Sequence, residues 1–450
     1  MSAVRRDVNL YWCGQTASAF GSVFTAIALP VVALTDLGAT PGEVGVIGAA
    51  ATVPGIVLGL LAGALADRVA RPRRAMLLLD LLSAAAVGAV ALGLRQGVAS
   101  IGWLIGLGLV QGFLGVLLAS LYFVHLRQLV GAQAIGQARA RLQAGQFGAA
   151  LAGRILAGPV IALFGSSAAL ATDGASYLLS ALALASMRSP DRTAALPRAA
   201  APRQGVRGAA AGLRFFAAHP FHRALLLFMV APAAALAGAA TLTGPFLLRT
   251  VHLPVGVYGL AFVLSGVMGL TGSAVAGRLL HPGRDARLTV LVCFGGALLS
   301  SVLLPVAAGP LPLAVVCAAL GIGLPVLFGA VANVALVSVL ATDVPEAVMG
   351  RAMAALQVVT SATALVGALA GGFLGDLLGV RSALWVLIGA ALLVIGAVGP
   401  SAARAARDLR AADRRAAAAD GPHPDTPDAH GTDAGEPDAA AAGPATATTV

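Results

Sequence analysis

The chain has 450 residues, of which 58% are hydrophobic and 11% charged, whereas soluble domains carry about 25% charged residues. So few polar groups cannot cover an aqueous globule, so the composition excludes a soluble fold and points to lipid as the solvent. The net charge of +10 is carried by arginines scattered between apolar runs, with no basic stripe interleaved with aromatics, which argues against a nucleic-acid partner.

Apolar runs of about 20 residues, enough to cross a bilayer core, stand near 10–34, 43–65, 75–94, 100–124, 142–164, 167–187, 224–248, 257–280, 288–308, 311–340, 352–376 and 382–402. The first is too long for a signal peptide and reads as a retained anchor. Glycine and proline interrupt many runs, as membrane helices with protein neighbours tolerate. With the N-terminus placed inside, 25 of the 29 arginines fall in cytoplasmic segments. Only Arg95, Arg249 and Arg381 fall in external loops, and Arg154 lies within the fifth run. Dropping any one span would invert every later loop and erase this positive-inside bias. Twelve spans with both ends inside are therefore expected.

Residues 188–223, rich in arginine and proline, read as a cytoplasmic linker between a first six-span bundle (1–187) and a second (224–402). Residues 403–450 read as a disordered tail that cannot bury a core; within it, 403–416 could form a short basic helix on anionic lipid. Cys13, Cys293 and Cys317 lie singly within apolar runs and read as small buried hydrophobes, without disulfide or metal-ligand spacing. No Gly-x-x-x-x-Gly-Lys loop is present, so ATP hydrolysis is not expected. The glycine-rich runs GVMGLTGSAVAG and GALAGGFLGD lie inside spans and read as helix contacts.

The halves echo each other. Val44-Gly45-Val46-Ile47-Gly48 recurs as Val255-Gly256-Val257-Tyr258-Gly259. GALADRVARPRR (63–74) has a partner near 273–284 that has lost the acid, and VGAQAIGQARARLQ (130–143) aligns with VPEAVMGRAMAALQ (344–357). Parallel six-span repeats are a transporter architecture with the substrate site at midplane between them.

GALADRVARPRR resembles the signature loop between spans two and three of the major facilitator superfamily. Gly63, Leu65, Asp67, Arg68 and Arg71 fit that pattern, and Ala70 replaces a usual glycine. Gln15-x-x-Ser18-x-x-Gly21, TDGASYLLSAL (172–182), AGLRFFAAHPFHRALLL (211–227) and VPEAVMGRAM (344–353) look most like the bacterial branch that includes enterobactin exporters and macrolide-efflux proteins. The resemblance covers about 8–400. It implies an all-α polytopic membrane protein with twelve transmembrane helices in two pseudo-symmetric six-helix bundles, the major facilitator fold. Gly145, Gly158 and Pro159 can be laid on the drug/proton antiporter signature of span five, as packing or hinge positions, but Arg154, Ala162 and Leu163 break it.

The resemblance also implies a cytoplasmic gate formed by Gly63, Asp67, Arg68, Arg71 and Arg74; the plainer reading of these residues is a topology signal alone. Arg154, in mid-span, reads either as a packing residue bonded to helix carbonyls or as a counter-charge for an anionic substrate group or a proton-carrying acid. Asp80, Asp173 and Asp376 read first as helix-end or loop contacts; Asp80 and Asp173 are the acids of choice if protons drive transport. Gln15, Ser18, Thr25, Gln111, Tyr122, His125, Thr241, Thr243 and Asn333 are the polar groups available to a central pathway, each with helix packing as its plainer role. A cavity so poor in charge suits amphipathic organic compounds.

The reading is therefore a monomeric, cofactor-free, non-enzymatic exporter of drugs, siderophores or other secondary metabolites in the inner (plasma) membrane, coupled to protons. No metal is expected. An importer or lysolipid flippase of the same fold, and a transport-dead receptor or scaffold, remain as alternatives.

Overall fold

The computed structural model describes residues 3–66, 69–188, 213–279 and 285–419, and all regular structure in them is helical. Twelve helices are long and apolar enough to span a membrane: Arg5–Asp36, Pro41–Leu58, Pro72–Arg95, Ile101–Val130, Arg141–Phe164, Ser166–Ala185, Pro220–Thr250, Val255–Ala276, Ala286–Val306, Leu311–Asp343, Arg351–Leu378 and Val380–Ala412. They are called spans 1 to 12. Proline opens several: Pro72 and Pro220 stand in the first turn, and Pro254, Pro310 and Pro345 cap the helices that follow them. There a missing N–H costs nothing and the fixed φ suits a helix start.

Alternate connections gather at opposite ends. The end that carries the 66–72, 185–220 and 343–351 connections is called here the terminal end; the other is the far end. Far-end turns are tight, and each contains a left-handed residue: Gly38, Gly97, Gly165, Gly309 and Gly379, with His252 in the sixth. A Cβ disfavours that conformation, which is why glycine dominates. Spans 4 and 5 belong to one uninterrupted helical assignment, Ile101–Phe164. The chain nevertheless doubles back near 131–140, because Leu107 and Ile161 share a far-end cluster while Leu126 and Leu142 share a terminal-end one.

The internal repeat is visible in detail. Span 1 ends in a π-helical turn, Val32–Asp36, and span 7 in another, Phe246–Thr250, an offset of 214 residues. Leu37 and Ala39 donate their amides to Val32 and Ala33; Val251 and Leu253 donate theirs to Phe246 and Leu247, at the same offset. Pro30 and Gly244, also equivalent, face each other, which places the pseudo-two-fold axis between spans 1 and 7. Span pairs recur as well. Gly108 packs on span 2 and Gly272 on span 10; Gly145 packs on span 1, and Gly371 meets Gly238 of span 7. In lipid such close approach replaces the hydrophobic effect as the source of helix association. The bundles' outer faces carry exposed apolar side chains, Leu163, Leu377 and Leu393 among them.

Two expectations change. The last helix runs unbroken from Val380 to Ala419, so the stretch from 403 is not disordered up to that point; alanine and arginine are strong helix formers and extend the span. Residues 420–450 lie outside the described residues. Cys293 is buried but Cys13 is exposed, since an apolar run in lipid need not face inward.

Candidate functional site

The first bundle holds a polar seam along one face of span 6. Asp173, Ser176, Tyr177 and Ser180 recur at helical spacing and so line one stripe. Asp173 is 1% exposed and accepts hydrogen bonds from the hydroxyls of Thr25 on span 1 and Ser176 (3.3 Å). Asp80 on span 3 is 0% exposed and accepts from Ser180 (2.7 Å) and from Tyr122 on span 4 (3.2 Å). The Tyr177 hydroxyl lies 3.4 Å from that of Ser22. Gln15 is buried on span 1, and Tyr11 donates to the Tyr122 carbonyl at 3.0 Å.

Glycine makes room for this stripe. A methyl on Gly21 would overlap the Ser176 hydroxyl and press on the Asp173 carboxylate, and one on Gly14 would press on Ser180. These glycines stand two turns apart on span 1 and form the groove that receives span 6. Neither carboxylate forms an ion pair among the described residues. An aspartate at a span centre costs about 2.5–3.5 kcal/mol on insertion scales, which hydroxyl donors only partly offset. Both acids thus differ from the helix-end contacts expected: they are buried seven or eight residues inside their helices.

Arg154 stands apart from both acids. It is half-buried, and its guanidinium donates to the Phe262 carbonyl (3.3 Å) and Ser265 hydroxyl (3.1 Å) of span 8, in the other bundle. Gly266 leaves the space it occupies. Here it bonds a carbonyl and a hydroxyl, not a carboxylate.

Asp67 and Arg68 lie outside the described residues, as does the environment of Gly63. Arg71 caps span 3; Arg71 and Arg74 are exposed, while Arg73 donates to the Met187 carbonyl at 2.8 Å. His125 is buried with its ring 5.8 Å from Tyr11. Ser18 is buried on span 1. Asn333 is exposed on span 10, and Thr241 and Thr243 bond their own helix. Gly145 packs on Trp12 and Thr16, Gly158 on the Gly256 carbonyl across the bundles, and Pro159 is exposed.

The bundles meet at the far end through spans 2 and 11 and through spans 5 and 8, which are equivalent pairs. Asp376 accepts the Gly42 amide on both carboxylate oxygens (3.1 Å) and the Thr40 hydroxyl (3.2 Å), so that span 11 caps the start of span 2. Arg249 donates to the Ala39 and Leu34 carbonyls, each at 2.7 Å. Gly45 lies against Ala368 and Gly372. One apolar cluster spans both bundles here, from Phe24 and Val44 to Leu242 and Leu384. Among the described residues, the terminal-end clusters stay within one bundle, around Tyr11 and Met76 in the first and around Cys293 and Val331 in the second. A surface depression of about 780 Å³ lined by Asp36, Ser166 and Gly256 lies on the closed side.

The second bundle has its own charged cluster, which the sequence reading missed. Asp343, ending span 10, is held bidentately by Arg287 of span 9 (3.1 and 2.5 Å) and lies 3.2 Å from His222 Nε2. Phe215, Phe216 and Phe221 pack around that imidazole. The acid and the arginine lie 56 residues apart at helix ends, where neither looks unusual.

Residues 11–339 match the family model of the Major Facilitator Superfamily, and the chain belongs to that family. Among curated proteins, none matches this sequence. Solved structures with the same fold include the nucleoside transporter NupG, at 12% identity and TM-score 0.70, covering 89% of this chain and 99% of that one. A bacterial homologue of the iron transporter ferroportin in an inward-facing state gives 16% identity and TM-score 0.67, covering 88% and 98%. A bacterial homologue of the human lysosomal transporter Spinster, inward-facing and unoccupied, gives 13% and 0.62, covering 90% and 97%. The protein is a multi-pass membrane transporter of this superfamily and not an enzyme.

Proposed function

We propose that this transporter exports amphipathic organic compounds, such as drugs, siderophores or other secondary metabolites, by alternating access with proton antiport. The observation that carries the reading is the closure of the far end by contacts between bundles, while among the described residues the apolar clusters at the terminal end stay within single bundles. The arginine bias puts the terminal end in the cytoplasm, so in this reading the bundles are parted toward the cell interior, ready to load from the cell. Two of the structural relatives are described in that same state.

The path between the bundles takes its polar groups from Gln111, Tyr122 and Asn333, with Arg154 at the junction of spans 5 and 8, whereas Gln15 and His125 are buried within the first bundle. That set is too sparse in charge for simple ions or sugars. The opposite state closes at the cytoplasmic mouth through Asp67, Arg68, Arg71 and Arg74, with Gly63 allowing close approach. The protein works as a monomer in the plasma membrane.

The test is uptake into inverted membrane vesicles with an acid interior, screened over antibiotics, dyes and siderophores. Accumulation that collapses with a protonophore is expected. Accumulation only in right-side-out vesicles would reverse the direction, and none in either orientation would favour a receptor.

A further inference from the structure

We propose that Asp173 and Asp80 are two proton-carrying sites of the first bundle alone, Asp173 serving the far mouth and Asp80 the terminal mouth, joined along span 6 by a hydroxyl ladder. Each carboxylate is sealed from solvent and is met by hydroxyl groups and not by a cation among the described residues. A carboxyl group sealed in this way exchanges its proton through the hydroxyls that meet it, not with bulk water. The titratable groups around them are Tyr11 of span 1, Tyr122 of span 4 and Tyr177 of span 6, with His125 beyond Tyr11.

The repeat supplies an internal control. Spans 6 and 12 start directly after Gly165 and Gly379, equivalent left-handed glycines. From that anchor Asp173, Ser176, Tyr177 and Ser180 correspond to Leu387, Ala390, Ala391 and Val394. Span 12 thus occupies the same place in the fold with no polar stripe at all, so helix packing does not require one. The seam also runs lengthwise: Asp173 lies two turns from the far end, Asp80 just over two from the terminal end, and Ser180 is about 10 Å along the helix axis from Asp173. A proton leaving the Asp173 carboxyl forms an O–H bond to Ser176, Tyr177 or an intervening water as that group releases its own proton onward. Asp80 first gives its proton to water at the open terminal mouth, and the last transfer, through Ser180, then protonates the Asp80 carboxylate again. Charge is conserved at each step.

The inference rests on the transport reading for its direction, but its first test does not. Infrared spectra of the purified protein at neutral pH should show carbonyl bands of protonated carboxylic acid that shift on [13C]aspartate labelling of the unmutated chain. Asp80→Asn and Asp173→Asn should each remove one component, and Asp80→Glu should restore a band at a new frequency. Absence of any aspartic-acid band, or bands untouched by both substitutions, would overturn the proposal even if transport were proven. In the second test the distance between spin labels at the terminal end, on the exposed Ser186 and Thr342, should change with pH when Asp80 and Asp173 are intact and be pH-insensitive in both Asn variants. Variants that retained the wild-type pH response would also overturn it.

Discussion

Asp376 is a handle on the balance between the two states. Its carboxylate holds the first turn of span 2 through the single Gly42 amide, shared by both oxygens at 3.1 Å, and the Thr40 hydroxyl at 3.2 Å, both from the other bundle. A charge at a helix N-terminus near the surface contributes about 0.3–1 kcal/mol, and charge-assisted hydrogen bonds add to that. Because the residue is exposed, about 1 kcal/mol is a fair total, equivalent to roughly a fivefold population shift. Asp376→Ala should therefore raise the far-end-open fraction about fivefold, and Asp376→Asn by less, since the amide oxygen still accepts. Double electron–electron resonance between labels on Gln96 and Leu311, with Cys13, Cys293 and Cys317 replaced, reads the change directly. A distance distribution identical to that of the parent would refute the idea that this contact biases closure.

Other substitutions test separate parts of the structure. Gly21→Ala forces a methyl into the Asp173–Ser176 pair, so thermal unfolding in detergent should show a loss of about 1–3 kcal/mol; full stability would mean the groove between spans 1 and 6 is wider than described. Arg287→Met strands the largely buried Asp343 beside His222 and should cost about 3–5 kcal/mol, with Asp343→Asn restoring much of it; a double variant no better than the single one would deny the pairing. Arg154→Leu gives up two hydrogen bonds worth about 1–3 kcal/mol together but relieves a mid-membrane charge costing about 2.5–3.5 kcal/mol or more. The melting temperature should hold or rise, and a clear fall would show that the cross-bundle bonds dominate.

The spans were legible because length and apolarity are local properties. Each apolar run became a helix, and the 214-residue offset between 130–143 and 344–357 surfaced again in the π-turns of Val32–Asp36 and Phe246–Thr250. Depth along a helix could be read only coarsely, and rotation about its axis could not be read at all. Asp173 therefore looked like a helix-end acid until span 1 placed Gly21 and Thr25 against it. The stripe Asp173, Ser176, Tyr177, Ser180 was present in the sequence and, set beside Gly14 and Gly21 at the spacing of two turns, could have been paired with span 1. Asp376 was beyond such reasoning, since its partners lie more than 330 residues away. Arg249 stood out in the sequence only as an exception to the positive-inside bias; its use, bonding two carbonyls of the opposite bundle, depends on tertiary structure.

The far-end seal between the bundles sets backbone against backbone at Gly42, Gly45, Gly158 and Gly372, where bulky side chains would otherwise mesh. Surfaces of that kind part without any rotamer having to flip, so opening resembles the lifting of one smooth plate from another. The resistance then comes from a few discrete tethers, and the protein can cycle quickly while keeping a face too thin in crevices for solutes to slip through.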